Sequence, residues 1–335
     1  MNTSITDITA LEARVGRKPA AVDMKVLDHL DAHDRRWVAA APFAFLAFGD
    51  RDGIAITAAG GAAGFAEVAD ARSLRIPRAT LDDAATAREG SGFGSLFLIP
   101  GCGETLRVNG RVTAVDDAHI AVAVEECYLH CAKALIRSGF WDADPSTTAP
   151  DSPEALLGAS RFMALATVDA QGRADVSPKG DPAGSLLRLQ EGDVWYADRP
   201  GNRRTDSFRN ILTQPRVAAL ALVPGTARVV ALAGSASINA DEAMRAAFTV
   251  AERTPKVVTR IAQPALAVRD SAALARAALW PASAAPADID PATMFAAHVK
   301  HNKAGGVGAG ITRAAVSVPG LMARGLKHDY KHNLY

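Results

Sequence analysis

Cysteine, charge imbalance and long apolar runs are all scarce in this 335-residue sequence, and each scarcity excludes something. The three cysteines, Cys102, Cys127 and Cys131, lie within thirty residues of one another. An odd, crowded set makes a poor disulfide framework and points to a cytoplasmic protein. Thirty-seven Lys and Arg against 36 Asp and Glu leave a formal net charge of +1, so no global field gathers nucleic acid or an anionic membrane. Any anionic ligand must then be held by a local cluster of cations. The most apolar stretch, Val217 to Gly234, is broken by Pro224, Gly225 and Arg228, and the opening MNTSITDITALEARVGRK mixes acids and bases without an apolar centre. Neither a signal peptide nor a membrane span is expected. What remains, 49% hydrophobic and 22% charged, is globular composition long enough for about two domains, and it excludes disordered and collagen-like chains.

The chain also repeats itself. LFLIPGCGETLRVNGRVTA (96–114) lies over LALVPGTARVVALAGSASI (220–238) without a gap, placing Pro100 on Pro224 and Gly110 on Gly234. Upstream, LAFGDRDGIAITAAGG (46–61) lies over LATVDAQGRADVSPKG (165–180); downstream, ALIRSGFW (134–141) meets ALARAALW (273–280). A period this long, seen twice, predicts two homologous domains rather than a solenoid. In each copy two apolar runs flank an Asp-x-x-Gly turn signal, as in a β-hairpin, and LFLIPG and LRVNGRVTAV supply further strands. Helices are expected at 21–37, with Val26, Leu27 and Leu30 at core spacing, and at 127–137, 204–212 and 240–250, the last capped by Asn239. The expected layout is an N-terminal helical segment (1–40), a first β domain (41–145), a second (155–281), and a Pro/Ala-rich linker with a weakly helical tail (282–335).

The second copy concentrates the candidate chemistry in DVSPKGD (175–181) and DRPGNRRTDSFRN (198–210), where Arg203 and Arg204 follow a Gly-Asn turn at a predicted helix start. A phosphate monoester carries about −1.5 to −2 charge, which Arg forks and helix-start N–H groups meet with hydrogen bonds of roughly 1.5–3 kcal/mol each. Two arginines beside a turn are more often solvated surface charges, so spacing alone leaves both readings open.

At these residues the sequence resembles the FMN-binding split barrels of the pyridoxamine 5′-phosphate oxidase-like family, through DVSPKGDPAG, YADRPGNRR and LVPG in the second copy. The first copy carries FLIPG, ETLRVNG and HCAKALIRS, preceded by DHLDAHDRRWVAAAPFAFLA, and the matches together span about 5–280. The resemblance implies a mainly β (α+β) fold of two FMN-binding split β-barrels. In the family the barrels pair as a homodimer with FMN between protomers; here they would form a pseudo-dimer within one chain. It further implies that Lys179, Asn202, Arg203 and Arg204, with Ser207, hold the FMN phosphate. Asp175, Val176 and Ser177 would run beside the isoalloxazine ring, with Tyr196, Ala197 and Asp198 as the neighbouring strand. From the first copy, Glu104, Thr105 and Arg107 would face the flavin or substrate, and His130 would lie near the mouth.

The copies depart from the pattern in complementary ways. At the cradle positions the first has Ala58, Ala59 and Gly60 for Ser177, Pro178 and Lys179, and Ala79 and Thr80 for Arg203 and Arg204. The second has Arg228, Val229, Val230 and Ala231 for Glu104, Thr105, Leu106 and Arg107, and lacks the YLHC of 128–131. One composite FMN site per chain is therefore expected, with higher association not required. The expected activity is that of a flavin-dependent oxidoreductase using a small-molecule substrate or electron donor. The alternatives are a non-catalytic FMN binder and a barrel holding haem or a deazaflavin. A pyridoxamine phosphate oxidase proper is disfavoured, because that enzyme's C-terminal Arg-x-His motif has no counterpart after Trp280. No metal site is expected: Cys127, His130 and Cys131 lack a second ligand pair and read as structural residues on a helix. Trp141 and Trp280, at equivalent repeat positions, read as interface packing, and His328, His332 and Tyr335 as a solvated end.

Overall fold

Both faces of the strand Phe43–Asp50 are apolar: Ala44, Leu46 and Phe48 enter one core, while Phe43, Phe45 and Ala47 enter another. Side chains alternate along a strand, so such a sequence is stable only between two packed layers. Phe162–Val168 repeats the arrangement, with Met163 and Leu165 on one side and Phe162, Ala164 and Ala166 on the other. These two strands lie inside two antiparallel sheets in a computed structural model that describes residues 3–201, 203–303, 307–318 and 320–335. Among those residues no helix is long and apolar enough to cross a membrane.

After a short β1 (Ser4–Ile5), the first sheet comprises β2 (Phe43–Asp50), β3 (Gly53–Gly60), β4 (Glu67–Asp70), β5 (Ser73–Pro77), β6 (Gly92–Leu98), β7 (Thr105–Val115) and β8 (His119–His130). The second comprises β9 (Phe162–Val168), β10 (Ala174–Gly180), β11 (Leu187–Gln190), β12 (Asp193–Ala197), β13 (Arg216–Leu222), β14 (Arg228–Asn239) and β15 (Val258–Asp270). The spatial orders are β3-β2-β6-β7-β8-β5-β4 and β10-β9-β13-β14-β15-β12-β11, the same path twice, with β1 added on β14. The end strands of each path do not pair with one another, so neither sheet closes into a barrel.

Helices punctuate this frame: α1 (Ile8–Val15), α2 (Ala32–Ala40), α3 (Lys133–Ser138), α4 (Pro153–Ala159), α5 (Asp206–Thr213), α6 (Glu242–Ala247), α7 (Ala272–Ala277), α8 (Pro291–His301), α9 (Val307–Val316) and α10 (Leu321–His332). One apolar core lies under the first sheet with α2, another under the second with α1 and α4, and a third between the sheets, fed by β2, β6, β9 and β13. Two short helices clasp that seam. A Cβ on Gly180 of β10 would fall 1.9 Å from the Ala134 carbonyl of α3, and one on Gly60 of β3 would fall 2.5 Å from the Ala273 carbonyl of α7. Each half thus seats its helix on the other half's strand, at a distance only glycine allows. Trp141 and Trp280 flank the same core, their rings 4.8 and 5.0 Å from Phe140.

Several local expectations are corrected. The 127–137 helix is half strand: Cys127 to His130 pair with Val108 to Thr105, and α3 begins only at Lys133. Ladder pairing outweighs the helical pattern there. The 21–37 segment is a 3₁₀ turn (Ala20–Lys25), an extended stretch in which Leu27 bridges Cys127, and then α2. Asp241, not Asn239, caps α6, because Asn239 is still paired in β14. The tail is three helices rather than a weakly helical end, although part of its KAGGVGAG stretch lies outside the described residues.

Candidate functional site

Where α3 meets β10 and the loop that follows β12, a cavity of about 500 Å³ opens at the seam. The first half contributes Arg107, His130, Lys133 and Arg137; the second contributes Ser177, Lys179, residues 197–201 and 203–208, and the turn at 253–256. Among the described residues its wall holds nine Lys and Arg side chains against three aspartates, Asp181, Asp198 and Asp206. The neutral chain has therefore gathered a local positive field, suited to an anionic ligand.

Most of these cations are already engaged. Arg107, 1% exposed, donates from Nη1 to Tyr128 Oη (2.6 Å) and from Nη2 to the Val176 carbonyl (2.6 Å) and Ser177 Oγ (3.2 Å), and pairs with Asp175 at 3.0 Å. Arg204 donates to Asp206 (2.6 Å) and Asp23 (3.1 Å) and lies over the Tyr128 ring at 4.4 Å. Burial alone would lift the Asp206 carboxyl, but Arg204 and Arg107 outweigh it and hold its pKa down. Arg137 donates to the Gly180 carbonyl (2.8 Å), and Arg199 pairs with Asp181 (2.7 Å). Lys133 pairs with Asp329 at 2.9 Å.

Lys179 and Arg203 are different. Neither has an ion pair or side-chain hydrogen bond among the described residues, a state shared by the exposed Arg253 and Lys256 of the 253–256 turn. Lys179 Nζ stands 5.6 Å from the Phe208 ring and 5.8 Å from that of Tyr196, half-buried, and burial lowers its pKa although Asp198 opposes the shift. Arg203 is exposed at the rim in the left-handed backbone region (φ 54°), beside Thr205 at φ 59° and just before α5. Ser207 lies in the first turn of that helix and lines the cavity. Asn202 lies outside the described residues.

The other sequence-singled residues scatter. Ala197 and Asp198 line the cavity; burial raises the Asp198 pKa, with Lys179 and Arg137 opposing. Tyr196 is fully buried in the second sheet's core, and Val176 is buried between the sheets. Asp175 sits under Arg107 and accepts from Asn109. Arg107 is a buried strut between the halves rather than a free group facing a ligand. Thr105 is buried, and Glu104 faces a smaller cavity of about 120 Å³, where its Oε1 accepts from Tyr330 Oη (2.7 Å). His130 lines both cavities, and burial together with Arg107 and Lys25 pushes its pKa well down, leaving a neutral imidazole.

Two features escaped the sequence. The tail is not a solvated end: Tyr335 lines the main cavity with its ring 5.5 Å from Arg199 and 6.0 Å from Arg137, while Arg137 Nη1 donates to the Leu334 carbonyl (2.9 Å). The repeat alignment also needs one correction. In the first hairpin Gly49 pairs with Ile54 across four intervening residues, whereas in the second the corresponding Val168 pairs with Ala174 across five. That loop is one residue longer, so the counterpart of Lys179 (paired with Met163) is Ala59 (paired with Ala44), not Gly60.

Residues 150–280 match the family model described as pyridoxamine 5′-phosphate oxidase. No curated protein matches the chain. Among solved structures, HupZ of Group A Streptococcus is similar at 20% identity over 38% of this chain and 98% of its own, with a TM-score of 0.30. An F420 reductase is similar at 19% identity, over 36% and 98%, with a TM-score of 0.27. HutZ, the haem storage protein of Vibrio cholerae, is similar at 14% identity, over 33% and 86%, with a TM-score of 0.24.

Proposed function

We propose that this chain binds one FMN in the composite cavity and works as a cytoplasmic flavin-dependent oxidoreductase on a small molecule. In this reading residues 41–145 and 155–281 are duplicated split-barrel domains packed as an internal pseudo-dimer; the shared strand order and the reciprocal seating of α3 and α7 support it. The observation that carries the ligand assignment is the pairing state of the wall. Lys179 and Arg203, with Arg253 and Lys256 across the mouth, have no ion pair among the described residues, while Arg204, Arg137, Arg199 and Lys133 already have one. A phosphate matches those cations in charge, and the first-turn amides of α5 with Ser207 add donors. When bound, the isoalloxazine supplies hydride chemistry.

The chain's own residues bind, orient and exclude water. The Arg107–Asp175–Tyr128 cluster fixes β7 and β8 of the first half against β10 of the second, so the wall from one half cannot drift from the cradle of the other. His130, neutral in this setting, donates from Nδ1 to the Cys131 carbonyl (3.3 Å), which leaves Nε2 as an acceptor. Tyr335 covers part of the cavity from the tail.

The spectrum of the purified protein, before and after FMN addition, tests the assignment. Flavin bands and one FMN per chain are expected, followed by NADH- or NADPH-dependent turnover of the bound flavin. A Soret band would replace FMN with haem. Uptake of a deazaflavin without FMN would likewise reassign the ligand, and protein taking up neither would sink the reading. Tight FMN binding without turnover would leave the non-catalytic alternative.

A further inference from the structure

Asp31 and Asp34 cap α2 reciprocally. Asp31 Oδ1 accepts from the His33 and Asp34 amides (2.8 and 3.0 Å), and Asp34 Oδ2 accepts from the Asp31 amide (2.9 Å). One oxygen of each carboxylate is thereby used. The other oxygens, Asp31 Oδ2 and Asp34 Oδ1, are buried without a hydrogen-bond partner, as are both ring nitrogens of His298. His298 is 0% exposed on α8, and its Nε2 comes to 3.1 Å from Asp34 Oδ1 and 3.9 Å from Asp31 Oδ2. One turn further on, His301 Nδ1 lies 3.4 Å from Asp31 Oδ2. Orphaned buried polar atoms are rare in native proteins, and here three converge within 4.8 Å.

We propose that Asp31, Asp34 and His298, completed by His301 at the rim, form a binding site for a divalent transition-metal ion of the zinc class. Zinc bonds of about 2.0–2.1 Å in a tetrahedron put neighbouring donor atoms about 3.3 Å apart. Three of the six spacings, 3.1, 3.4 and 3.9 Å, scatter around that value; the three buried donors lie within 4.8 Å of one another, and His301, outside that cluster, would swing in from the rim to complete the shell. Two nitrogens and two carboxylate oxygens suit zinc better than calcium or magnesium, which take all-oxygen shells, or than thiolate-seeking copper(I). Charge points the same way. A dication on neutral imidazoles offsets both buried carboxylates at once, where otherwise His298 and His301 would each have to carry a proton to do so. The sequence supplies the donors as Asp-x-x-Asp on α2 and His-x-x-His on α8, pairs that share one face of each helix. The ion would staple α8 to the first half, and with it the tail that brings Tyr330 and Tyr335 to the cavities.

The full-length protein, stripped with a chelator and desalted, is titrated with Zn²⁺ and separately with Co²⁺, and metal per chain is measured after gel filtration. One zinc per chain, the intense visible bands of tetrahedral cobalt and a zinc-dependent rise in Tm are expected. Asp34→Asn and His298→Gln should weaken zinc retention by well over about tenfold, and His301→Ala by about tenfold, the scale that even outer-shell changes reach. His301 is half exposed, so its variant stays folded and keeps the test decisive if the buried variants do not. Wild-type protein that retains no zinc and melts indifferently to it would overturn the site, leaving both imidazoles as counter-ions. Zinc held equally well by wild type, Asp34→Asn and His301→Ala would overturn it too, by placing the metal elsewhere.

Discussion

Arg137 on α3 and Arg276 on α7 occupy corresponding places at the two ends of the seam. Arg137 donates to the Gly180 carbonyl (2.8 Å) and toward Pro200 (3.4 Å); Arg276 donates to the Gly60 carbonyl (3.0 Å) and to Thr80 (2.7 Å). The scaffolds match, yet the chemistry between them differs. Asp206 binds two buried guanidinium groups beside the cavity, whereas Asp82 accepts from Ser271 Oγ (2.5 Å) and the Ala273 amide (2.7 Å) and so caps α7. Where the second half has Lys179 and Arg203, the first has Ala59 and Ala79. A framework is kept by packing, which both ends need. Unpaired cations cost stability when no ligand uses them, and at these positions only one end carries them.

The test with the largest expected effect concerns the strut. Removing one member of a buried ion-paired cluster costs about 3–5 kcal/mol, because the partners stay buried without compensation. Arg107→Ala should lower the unfolding free energy by about that much in a urea titration, since Tyr128, Asp175 and Ser177 all lose a donor. The corresponding second-half residue, Ala231, has no such partners, and Ala231→Ser should change stability by less than about 1 kcal/mol. Equal effects at both positions would erase the asymmetry.

Next comes the cradle itself. Lys179→Ala with Arg203→Ala removes two of the four wall cations that have no ion pair or side-chain hydrogen bond among the described residues, and two charge-assisted bonds of roughly 1.5–3 kcal/mol each correspond to a hundredfold or more in the FMN Kd. Urea stability should hardly move, because neither side chain holds another. Arg204 is the instructive contrast. Spacing alone leaves it between a phosphate ligand and a solvated surface charge; the structure buries it among Asp206, Asp23 and Tyr128. Arg204→Ala is therefore expected to destabilise the chain as well as weaken FMN. Unchanged flavin affinity in the Lys179/Arg203 double variant would remove the phosphate from this cavity.

A smaller effect separates the two aspartates. Asp82→Asn keeps a capping oxygen and should cost under about 1 kcal/mol. Asp206→Asn leaves two buried guanidinium groups short of an anion and should cost about 2–3 kcal/mol. The acid side carries the same sign. A carboxyl whose folded pKa lies below its unfolded value contributes stability that is present above the unfolded pKa and lost as pH falls through the folded one. Asp206 is such a group, so the stability gap between wild type and Asp206→Asn should close on acidification.

How far the sequence discloses all this follows from what each feature depends on. The hairpins and the cation-rich segments rest on neighbours along the chain, and they are legible. The fate of each cation rests on partners far away: Asp23 reaches Arg204 across 181 positions, and Tyr335 meets Arg137 from the tail. Nothing local marks Arg107 as a strut and Lys179 as free. The helix expected at 127–137 failed for the same reason, since β7 claims Cys127 to His130 as ladder partners. A one-residue difference between hairpin loops was likewise invisible to an alignment without gaps, and it moved the counterpart of Lys179 by one position.

The mildest expected effect is a pH slope, and it isolates Lys179. Burial lowers its pKa from the ordinary 10.5, with Asp198 opposing, so in the free protein the ammonium is lost earlier than in an exposed lysine. Phosphate prefers the charged form and raises that pKa, so binding takes up a proton in the alkaline range. FMN affinity should accordingly fall as pH rises through the free-protein value and level off above the bound-state one. Flavin fluorescence titrations from about pH 7 to about pH 11 would record a severalfold loss in wild type. Lys179→Arg, charged throughout that range, should flatten the slope. Riboflavin, which has no phosphate, should show no slope with either protein. A slope of equal size for riboflavin would assign the titration to the ring's surroundings and take Lys179 out of the cradle.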